Sequence, residues 1–385
     1  MSELVAGART APSSCQWSAA WRILCVRLDT IGDVIMTGPA IRALREQAPH
    51  RRITLLTSHA GAKAGRLLSE VDEVLVYEAP WMKATPPRTG PEEDLAFARR
   101  LREERFDAAV IFTVYSQTPL PAALLCHLAG IPLRLAHCRE NPYQLLTDWV
   151  EEPEPQSFVR HEVQRQLDLV AAVGGATSDR RLSLSVPSEA CNRVEALLAQ
   201  RIDPAKPWVV LHPGATAASR RYPAEQFAVV AARLVRELGC QVLFTGSETE
   251  RELVQSIQEQ MEAPSQSLAG MLSLGTLAAL LCQAPLLISN NTATVHIAAA
   301  VGTPVVDLYA LTNPQHTPWM VPRRVLFHDV PCKFCYKSTC PEGHHHCLRS
   351  VPPDEVVQAV AEMLRDHREV RVSVRREPPL VHPGH

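Results

Sequence analysis

The sequence predicts an α/β protein with two domains, each built around a parallel β-sheet. The chain has 385 residues, which is more than one ordinary hydrophobic core accommodates. Short apolar runs alternate with helical patterns, as is typical of parallel strands joined by crossover helices. This alternation pauses near residues 180–205 and then begins again, which indicates a domain boundary in that stretch.

In the first half of the chain, the predicted strands are short apolar runs and the predicted helices have apolar residues at helical spacing. We predict strands at residues 23–28, 53–57, 73–76 and 108–112. We predict helices at residues 33–47, 60–68, 92–104, 121–128 and 163–172.

The second half repeats the same alternation. Strands are predicted at residues 208–212, 241–245, 286–289 and 305–309. Helices are predicted at residues 224–238, 248–261 and 294–300. No repeat of 20–50 residues is visible, which argues against a solenoid.

The predicted domain organisation has five parts. Polar residues and proline interrupt the N-terminal stretch, so it lacks the apolar segment of a signal peptide. We therefore expect residues 1–20 to be a disordered lead, followed by an N-terminal domain at 21–185 and a C-terminal domain at 186–352. A helix at 353–370 and a flexible tail at 371–385 complete the chain.

Composition and charge exclude some functions and suggest a compartment. The 39 basic and 41 acidic residues give a net charge of −2, so whole-protein charge offers no argument for nucleic-acid binding. No window approaches the roughly 20 apolar residues that span a bilayer. Eleven cysteines, most of them scattered, fit reduced thiols in a cytoplasmic protein better than a disulfide framework.

The first candidate functional residue is Asp33, which follows Gly32 between a predicted strand and a predicted helix. This is the edge at which open α/β sheets bind ligands, and a carboxylate there can accept a proton from an incoming nucleophile. The alternative is that Asp33 only caps the helix, because aspartate readily accepts hydrogen bonds from free N–H groups at a helix start.

Three strand-to-helix junctions in the second half can bind an anion through backbone N–H groups. Their polar or glycine-containing segments are 212–221, 245–250 and 289–296. Each has a structural alternative: a surface turn, an acid favoured by the helix dipole, or a helix cap beside a core histidine. All three are expected at one sheet edge, which favours a shared binding role.

The densest cysteine and histidine cluster lies in the loop 332–347. Its cysteines are Cys332, Cys335, Cys340 and Cys347, with three histidines between the last two. Four thiolates can hold a structural zinc or iron ion, and a reducing compartment favours metal over disulfides. The alternative is a set of free thiols in a surface loop.

These segments together resemble glycosyltransferase family 9, the ADP-heptose:lipopolysaccharide heptosyltransferase family. The matching segments, in family order over residues 22–365, are GDVIMTGPA, LHPGAT…RRYP, TGSETE, LAGMLSLGTLAALL, SNNTATVHIAAAVGTPVVDLY and CKFC…CPEGHHHCL. The resemblance implies a GT-B fold, in which two Rossmann-like domains face each other across a cleft. It also implies that the C-terminal domain holds the donor and that the last helix crosses back to the N-terminal domain.

The resemblance also implies roles for single residues. Asp33 would be the general base. The residues implied in donor binding are Thr216 and Arg220 at the diphosphate, Glu248 or Glu250 at the ribose, Met271 and Leu272 at the nucleotide base, and Asn291, Thr292, Ala293 and His296. The implied phosphate-binding loops contain Gly32, Gly214 and Ala215. Arg220 replaces a lysine that is usual in the family. Asn291-Thr292-Ala293 replaces an Asp-Thr-Gly, which removes a charge and casts doubt on heptose specificity.

The resemblance therefore implies an inverting transfer of a sugar, with ADP-heptose as the expected donor and a lipopolysaccharide-core or other surface glycan as acceptor. No metal is expected in this step. Peripheral contact with the inner face of the cytoplasmic membrane is expected, and acceptor contacts are expected from loops 115–117 and 139–141. Two alternatives remain: a nucleotide-sugar epimerase of the same architecture, and a non-catalytic sugar-nucleotide-binding relative.

Overall fold

A computed structural model describes residues 14–83 and 85–376 of the chain. The chain forms two compact units, which divide between Ser183 and Leu184. Each unit contains one six-stranded, fully parallel sheet with helices, which confirms the predicted α/β fold class.

The first unit contains strands β1–β6 and helices α1–α6. The strands are β1 (Arg22–Arg27), β2 (Arg52–Thr57), β3 (Glu73–Val76), β4 (Ala108–Ile111), β5 (Leu133–Cys138) and β6 (Asp148–Glu151). The helices are α1 (Ser14–Ala19), α2 (Ile31–Gln47), α3 (His59–Gly65), α4 (Glu92–Glu103), α5 (Leu120–Leu128) and α6 (Glu162–Ala171).

The second unit contains strands β7–β12, helices α7–α13 and two short 3₁₀ turns at Ala218–Arg220 and Glu248–Glu250. The strands are β7 (Trp208–His212), β8 (Gln241–Phe244), β9 (Gln266–Ser267), β10 (Leu287–Asn290), β11 (Val305–Leu308) and β12 (Arg323–Leu326). The helices are α7 (Ser188–Ala199), α8 (Ala224–Leu238), α9 (Arg251–Met261), α10 (Leu274–Gln283), α11 (Ala293–Val301), α12 (His346–Arg349) and α13 (Pro353–Arg376).

Both sheets have the strand order of a Rossmann fold. The first is β3-β2-β1-β4-β5-β6 and the second is β12-β11-β10-β7-β8-β9. The strand order therefore reverses between β1 and β4 in the first unit and between β7 and β10 in the second. Ligands of open α/β sheets bind at the carboxyl ends of the strands beside this switch point. The topology thus identifies one candidate edge in each unit.

Helix α2 follows β1 and is buried on most of its surface, including Val34, Ile35 and Met36. It contacts both α3 and α6. The approach of α3 to α2 is close, because a Cβ atom at Gly61 would lie 2.9 Å from Val34 Cγ2. Neighbours on several sides therefore hold the first turn of α2, and Asp33 with it, in place.

The predicted disordered lead at 1–20 is wrong for residues 14–19, which form α1. The Trp17 indole is completely buried, and its Nε1 donates a hydrogen bond to Asp148 Oδ2 over 2.9 Å. Arg51 donates to the Ala20 carbonyl over 3.1 Å and also to the Trp17 carbonyl. Helix α1 is held by a single buried aromatic side chain, which gives no apolar periodicity, so the sequence pattern could not predict this helix. Residues 1–13 lie outside the described residues.

The C-terminal helix extends beyond its predicted end. Helix α13 continues to Arg376, so the predicted tail is helical at 371–376, while residues 377–385 lie outside the described residues. Within the second unit α13 packs against α8, β11 and β12, with Val356, Val360 and Met363 buried. Its predicted crossing to the first unit stays a prediction.

Residues 14–83 and 85–376 include no helix that combines the length and the apolar character needed to cross a membrane. The longest helix, α13, carries charged side chains along its length, including Asp354, Glu355 and Arg365.

Replacement of Trp17 by alanine is expected to destabilise the first unit by about 3–5 kcal/mol, because it removes a buried aromatic ring and a buried hydrogen bond. Denaturant unfolding followed by circular dichroism measures the change. Trp21→Ala is the matched control, since that indole is 54% exposed, and we expect a much smaller loss. Equal losses in the two variants would show that α1 does not anchor the unit.

Candidate functional site

A buried arginine organises the switch point of the first unit. Arg27, the last residue of β1, is fully buried and forms ion pairs with three carboxylates. Its Nη1 lies 2.8 Å from Glu162 Oε1, its Nε lies 3.0 Å from Asp29 Oδ2, and its Nη2 lies 3.2 Å from Asp33 Oδ1. One guanidinium therefore serves three acids at the carboxyl end of the sheet.

Asp33 takes part in the capping of helix α2 and faces this arginine. The Thr30 backbone N–H and hydroxyl donate to Asp33 Oδ2 over 3.1 and 2.8 Å, which forms a capping box. The other carboxylate oxygen, Oδ1, accepts from Arg27. The N-cap of α2 is Thr30 and not Asp33, which lies in the first turn and contributes one oxygen to the capping box. The side chain keeps 16% of its surface exposed, so a ligand can still reach it.

Asp29 is a second carboxylate at this edge, and the sequence analysis did not identify it. Burial raises its pKa to about 6, Arg27 opposes that shift, and the neighbouring Asp33 and Glu162 reinforce it. Gln117 Nε2 donates to Asp29 Oδ1 over 2.7 Å, which favours the ionised form. Asp29 therefore gains or loses its proton close to neutral pH. The charged residues at the end of an apolar strand, Arg27 and Asp29, were the available signal in the sequence.

Glu162, at the start of α6, completes the buried cluster. It is fully buried, and Gln166 Nε2 donates to its Oε1 over 2.6 Å. The same Gln166 nitrogen donates to the Thr113 carbonyl, just beyond β4, over 2.9 Å. This network ties α6 to both strands of the switch point.

The loops expected to contact an acceptor lie near this edge. Gln117 holds Asp29, as described above. Arg139 Nη2 donates to the Tyr115 carbonyl over 3.2 Å, so the loops after β4 and β5 are joined. Their role in acceptor binding stays a prediction.

In the second unit, a buried asparagine shapes the loop that follows β7. Asn290 is fully buried at the end of β10. Its Nδ2 donates to the Pro213 carbonyl over 2.7 Å, and its Oδ1 accepts from the Tyr222 N–H over 3.0 Å. One amide therefore fixes both ends of the loop 213–222, which includes Gly214, Ala215, Thr216 and Arg220. The sequence analysis did not assign Asn290 this role.

Glu250 lies against this loop. Its Oε2 accepts from the Ser247 N–H over 2.7 Å and from the Ser247 hydroxyl over 2.8 Å. A Cβ atom at Gly214 would lie 2.1 Å from Glu250 Oε1, so glycine is needed for this approach. Glu248 lies elsewhere: it pairs with Arg251 at 2.5 Å, and a Cβ at Gly270 would lie 2.3 Å from its Oε2.

Arg220 ends the 3₁₀ turn Ala218–Arg220, and the cysteine-rich loop braces this turn. The Ser219 N–H donates to the Ser338 carbonyl over 3.1 Å, and the Ser219 hydroxyl donates to the Lys337 carbonyl over 2.7 Å. Arg221 Nε donates to the Ala215 carbonyl over 2.7 Å. These contacts stabilise the turn on which Arg220 lies.

The junction between β10 and α11 contains the remaining predicted donor residues. Thr292 is the N-cap of α11, and Ala293 is its first residue. The rings of His296 and His316 meet edge to face with centroids 6.3 Å apart, and His296 is buried. Asn291 Nδ2 donates to Asp307 Oδ2 over 3.0 Å and to the His316 carbonyl over 2.8 Å.

Asp307 is a fully buried acid within β11. Burial raises its pKa from 3.8 to about 8, and the hydrogen bond from Asn291 opposes the shift. Its Oδ1 atom has no hydrogen-bond partner in the described part of the chain. Asp307 therefore keeps its proton at neutral pH, and the sequence analysis did not identify it.

Met271 and Leu272 lie in the turn before α10. Met271 is 42% exposed and Leu272 is half-buried. Arg193 Nη2 lies 3.4 Å from the Met271 carbonyl, which links this turn to α7. Both side chains are thus accessible to a ligand, and their predicted contact with a nucleotide base stays a prediction.

The cysteine-rich loop brings the four predicted metal ligands close together: burial raises the pKa of the Cys347 thiol, and Cys340, Cys332 and Cys335 lie near enough to raise it further. Cys332 Sγ lies 3.7 Å from His344 Nε2, but the described residues include no group of three or more His, Cys, Asp or Glu side chains that could hold a metal ion. The loop follows other constraints, because the N–H groups of Phe334 and Tyr336 donate to the carbonyls of Leu311 and Thr312. The assignment of Cys332, Cys335, Cys340 and Cys347 to a zinc or iron site stays a prediction.

Comparison with known proteins identifies the family to which these features correspond. The model of "Glycosyltransferase family 9 (heptosyltransferase)" matches residues 95–346. The chain is 26% identical over 365 residues to lipopolysaccharide heptosyltransferase 2 of Escherichia coli K12, covering 89% of this chain and 98% of that protein.

Two solved structures have the same fold. A glycosyl transferase family 9 protein from Veillonella parvula superposes with a TM-score of 0.74 at 23% identity, covering 90% of this chain and 97% of that one. The ADP-heptose lps heptosyltransferase II of E. coli superposes with a TM-score of 0.70 at 23% identity, covering 90% and 99%.

Replacement of Asp307 by asparagine is expected to flatten the pH dependence of stability. The folded-state pKa is raised, so the contribution of Asp307 to stability is fully present below about pH 4 and falls by about 1.4 kcal/mol per pH unit as the pH rises toward 8. Asparagine does not titrate. The melting temperature of the variant relative to wild type should therefore increase from pH 5 to pH 8.

Thermal unfolding at pH 5, 6.5 and 8 measures this difference. Asp203→Asn is the control, because Asp203 is exposed in the same unit and should give parallel curves. Parallel curves for Asp307→Asn as well would mean that Asp307 is ionised in the folded protein.

Proposed function

Because the chain belongs to glycosyltransferase family 9, we propose that it is an inverting enzyme that transfers heptose from ADP-heptose to a lipopolysaccharide-core or other surface-glycan acceptor. The observation that carries the proposal is the position of Asp33 at the β1–α2 junction, held by Arg27 and Thr30 at the sheet edge where such folds bind ligands. The names of its relatives, a lipopolysaccharide heptosyltransferase and an ADP-heptose enzyme, support the substrate class.

In the proposed reaction, Asp33 accepts the proton of an acceptor hydroxyl. The acceptor oxygen then bonds to the anomeric carbon of the sugar, and the bond from that carbon to the diphosphate oxygen breaks on the opposite face. ADP leaves with the bonding electron pair. A general base must be ionised and within hydrogen-bond reach of the proton. Arg27 stabilises the ionised form of Asp33. Because Arg27 also pairs with Asp29 and Glu162, its positive charge is shared among three carboxylates and does not fully neutralise Asp33.

The second unit is proposed to bind the donor. Backbone N–H groups of the loop at Gly214–Thr216 and the guanidinium of Arg220 would neutralise the diphosphate as charge develops on it. Glu250, which lies at that loop, is the better placed of the two glutamates to reach a ribose, since Glu248 lies beside Gly270. Met271 and Leu272 would then contact the adenine ring.

No dissociable cofactor is required by this mechanism, because a guanidinium and oriented backbone dipoles supply the positive field at the leaving group. We further propose that the enzyme acts in the cytoplasm and contacts the inner membrane peripherally, since a glycolipid acceptor is held at the membrane surface.

Replacement of Asp33 by asparagine is expected to lower kcat at least 100-fold while ADP-heptose binding changes little, because the amide keeps the shape but cannot take the proton. Transfer to heptose-deficient lipopolysaccharide and calorimetric titration with ADP-heptose measure the two effects. Asp179→Asn, at an exposed loop site paired with Arg181, is the control. Unchanged turnover would exclude Asp33 as the base. Isomerisation of the donor without an acceptor would support an epimerase instead.

Replacement of Arg220 by methionine is expected to weaken ADP binding about 10- to 100-fold, because a charge-assisted contact to the diphosphate is lost. Arg220→Lys should recover part of the affinity, since it restores the charge but not the planar fork. Calorimetric titration with ADP at two salt concentrations measures both. Arg233→Met, at a partly exposed position on α8 that pairs with Glu237 and Asp354, should bind ADP as wild type does. An Arg220→Met protein with wild-type affinity would exclude the diphosphate role.

A further inference from the structure

The amide of Asn291 is held by two acceptors. Its Nδ2 donates to Asp307 Oδ2 over 3.0 Å and to the His316 carbonyl over 2.8 Å. A primary amide has two N–H donors, so both are used. The carbonyl oxygen Oδ1 is then the remaining polar atom of this side chain, and it can only accept a hydrogen bond.

The opposite orientation of the amide is disfavoured. Rotation by 180° would direct Oδ1 toward the His316 carbonyl, which can only accept, and would direct Nδ2 away from both partners. The network therefore assigns the amide nitrogen and oxygen of Asn291 without ambiguity. Asp307 supplies one of the two contacts that set this orientation.

Asp307 has no evident role in packing. It is fully buried within β11, where its register partners are Ser289 on β10 and Val325 on β12. Its second oxygen, Oδ1, has no hydrogen-bond partner in the described chain. A buried carboxyl group with an unused oxygen destabilises a fold relative to an apolar side chain of similar volume. The hydrogen bond that Asp307 accepts from Asn291 distinguishes Asp307 from an ordinary core residue.

We propose that Asp307 is a positioning residue that fixes the Asn291 amide, so that Asn291 offers its carbonyl oxygen to a hydroxyl group of the donor sugar. This inference rests on the proposed function, which places Asn291 in the donor site. It goes further in assigning the sugar contact to a neutral acceptor just beyond β10 and the acid to the neighbouring strand β11. A sugar hydroxyl donates to such an oxygen, whereas a hydrogen or fluorine in its place cannot.

The role of Asp307 is tested by replacement with leucine and with asparagine. Leucine has a similar volume but offers no acceptor to Asn291, whereas asparagine retains one in its carbonyl oxygen. Calorimetric titration of each variant with ADP-heptose and with ADP separates sugar binding from nucleotide binding. We expect Asp307→Leu to bind ADP-heptose about fivefold more weakly and ADP unchanged. Asp307→Asn should bind both ligands within about twofold of wild type.

Two results of these titrations would overturn the proposal. Equal weakening of both ligands by Asp307→Leu would indicate a general structural role. Weakening by Asp307→Asn as large as that by Asp307→Leu would show that the carboxyl group itself is required, and not its acceptor atom. If Asp307→Leu fails to fold, Asp307→Asn tests the acceptor by itself, since ADP-heptose binding more than about twofold weaker than wild type would overturn the proposal.

A double-mutant cycle tests the Asn291–Asp307 contact without any ligand. Asn291→Asp places two carboxyl groups about 3 Å apart and should lower the melting temperature at pH 8. Asn291→Asp combined with Asp307→Asn exchanges the two groups and should recover the part of the loss that arises from the two carboxyl groups, while the lost hydrogen bond to the His316 carbonyl is not restored. Additive effects would overturn the inference. A strong coupling in a protein that does not bind ADP-heptose would instead contradict the proposed function and leave the contact intact.

Discussion

The site of the first unit depends on a single buried guanidinium. Arg27 cannot be accommodated in the interior without counter-charge, because the transfer of an unpaired ion from water is strongly unfavourable. Asp29, Asp33 and Glu162 supply that counter-charge from the strand end, the first turn of α2 and the start of α6. The requirement to neutralise Arg27 therefore brings three separate elements together and sets the position of Asp33. Burial raises the pKa of Asp29 to about 6 against the opposing effect of Arg27, and the two neighbouring carboxylates reinforce that rise.

The two units use one topology with different anchoring chemistry. Each has its polar residues at the point where the strand order reverses, as expected for ligand sites of open parallel sheets. In the first unit the anchor is ionic and centres on Arg27. In the second it is neutral: the Asn290 amide fixes both ends of the loop after β7 through backbone groups. A neutral anchor leaves the positive charge of Arg220 and the backbone N–H groups available to an anion.

The fold could be predicted from the sequence wherever the local pattern was strong. Strand β7 and helix α8 were predicted with the bounds that the structure has, because clear apolar runs end at proline or glycine. Strand β5 was missed because it includes Arg134 and His137, whose burial depends on distant partners. Helix α7 was missed because few of its residues are buried, so its apolar periodicity is weak. Edge strand β12 has mostly exposed side chains and gives no apolar run.

The candidate site was only partly predictable for the same reason. Asp33 and Arg220 lie at strand-to-helix junctions that the sequence marks with glycine, so their positions could be inferred. The contact between Arg27 and Glu162 joins residues 135 positions apart, which no local pattern encodes. Asn291 lies just beyond β10 and Asp307 lies within β11, so their hydrogen bond depends on the register of these two parallel strands. The cysteine spacing predicts metal ligands, and this stays a prediction; the backbone hydrogen bonds that help to fix the path of that loop could not be read from the spacing.

The contact between Ser219 and the cysteine-rich loop has an evolutionary consequence. Ser219 is held through the main-chain carbonyls of Lys337 and Ser338, so this contact does not depend on the identity of the two side chains. The number of residues between Cys335 and Cys340 is not free in this way, because an insertion or deletion there would move the carbonyls away from the turn that bears Arg220. Selection on this segment should therefore conserve its length more strictly than its composition.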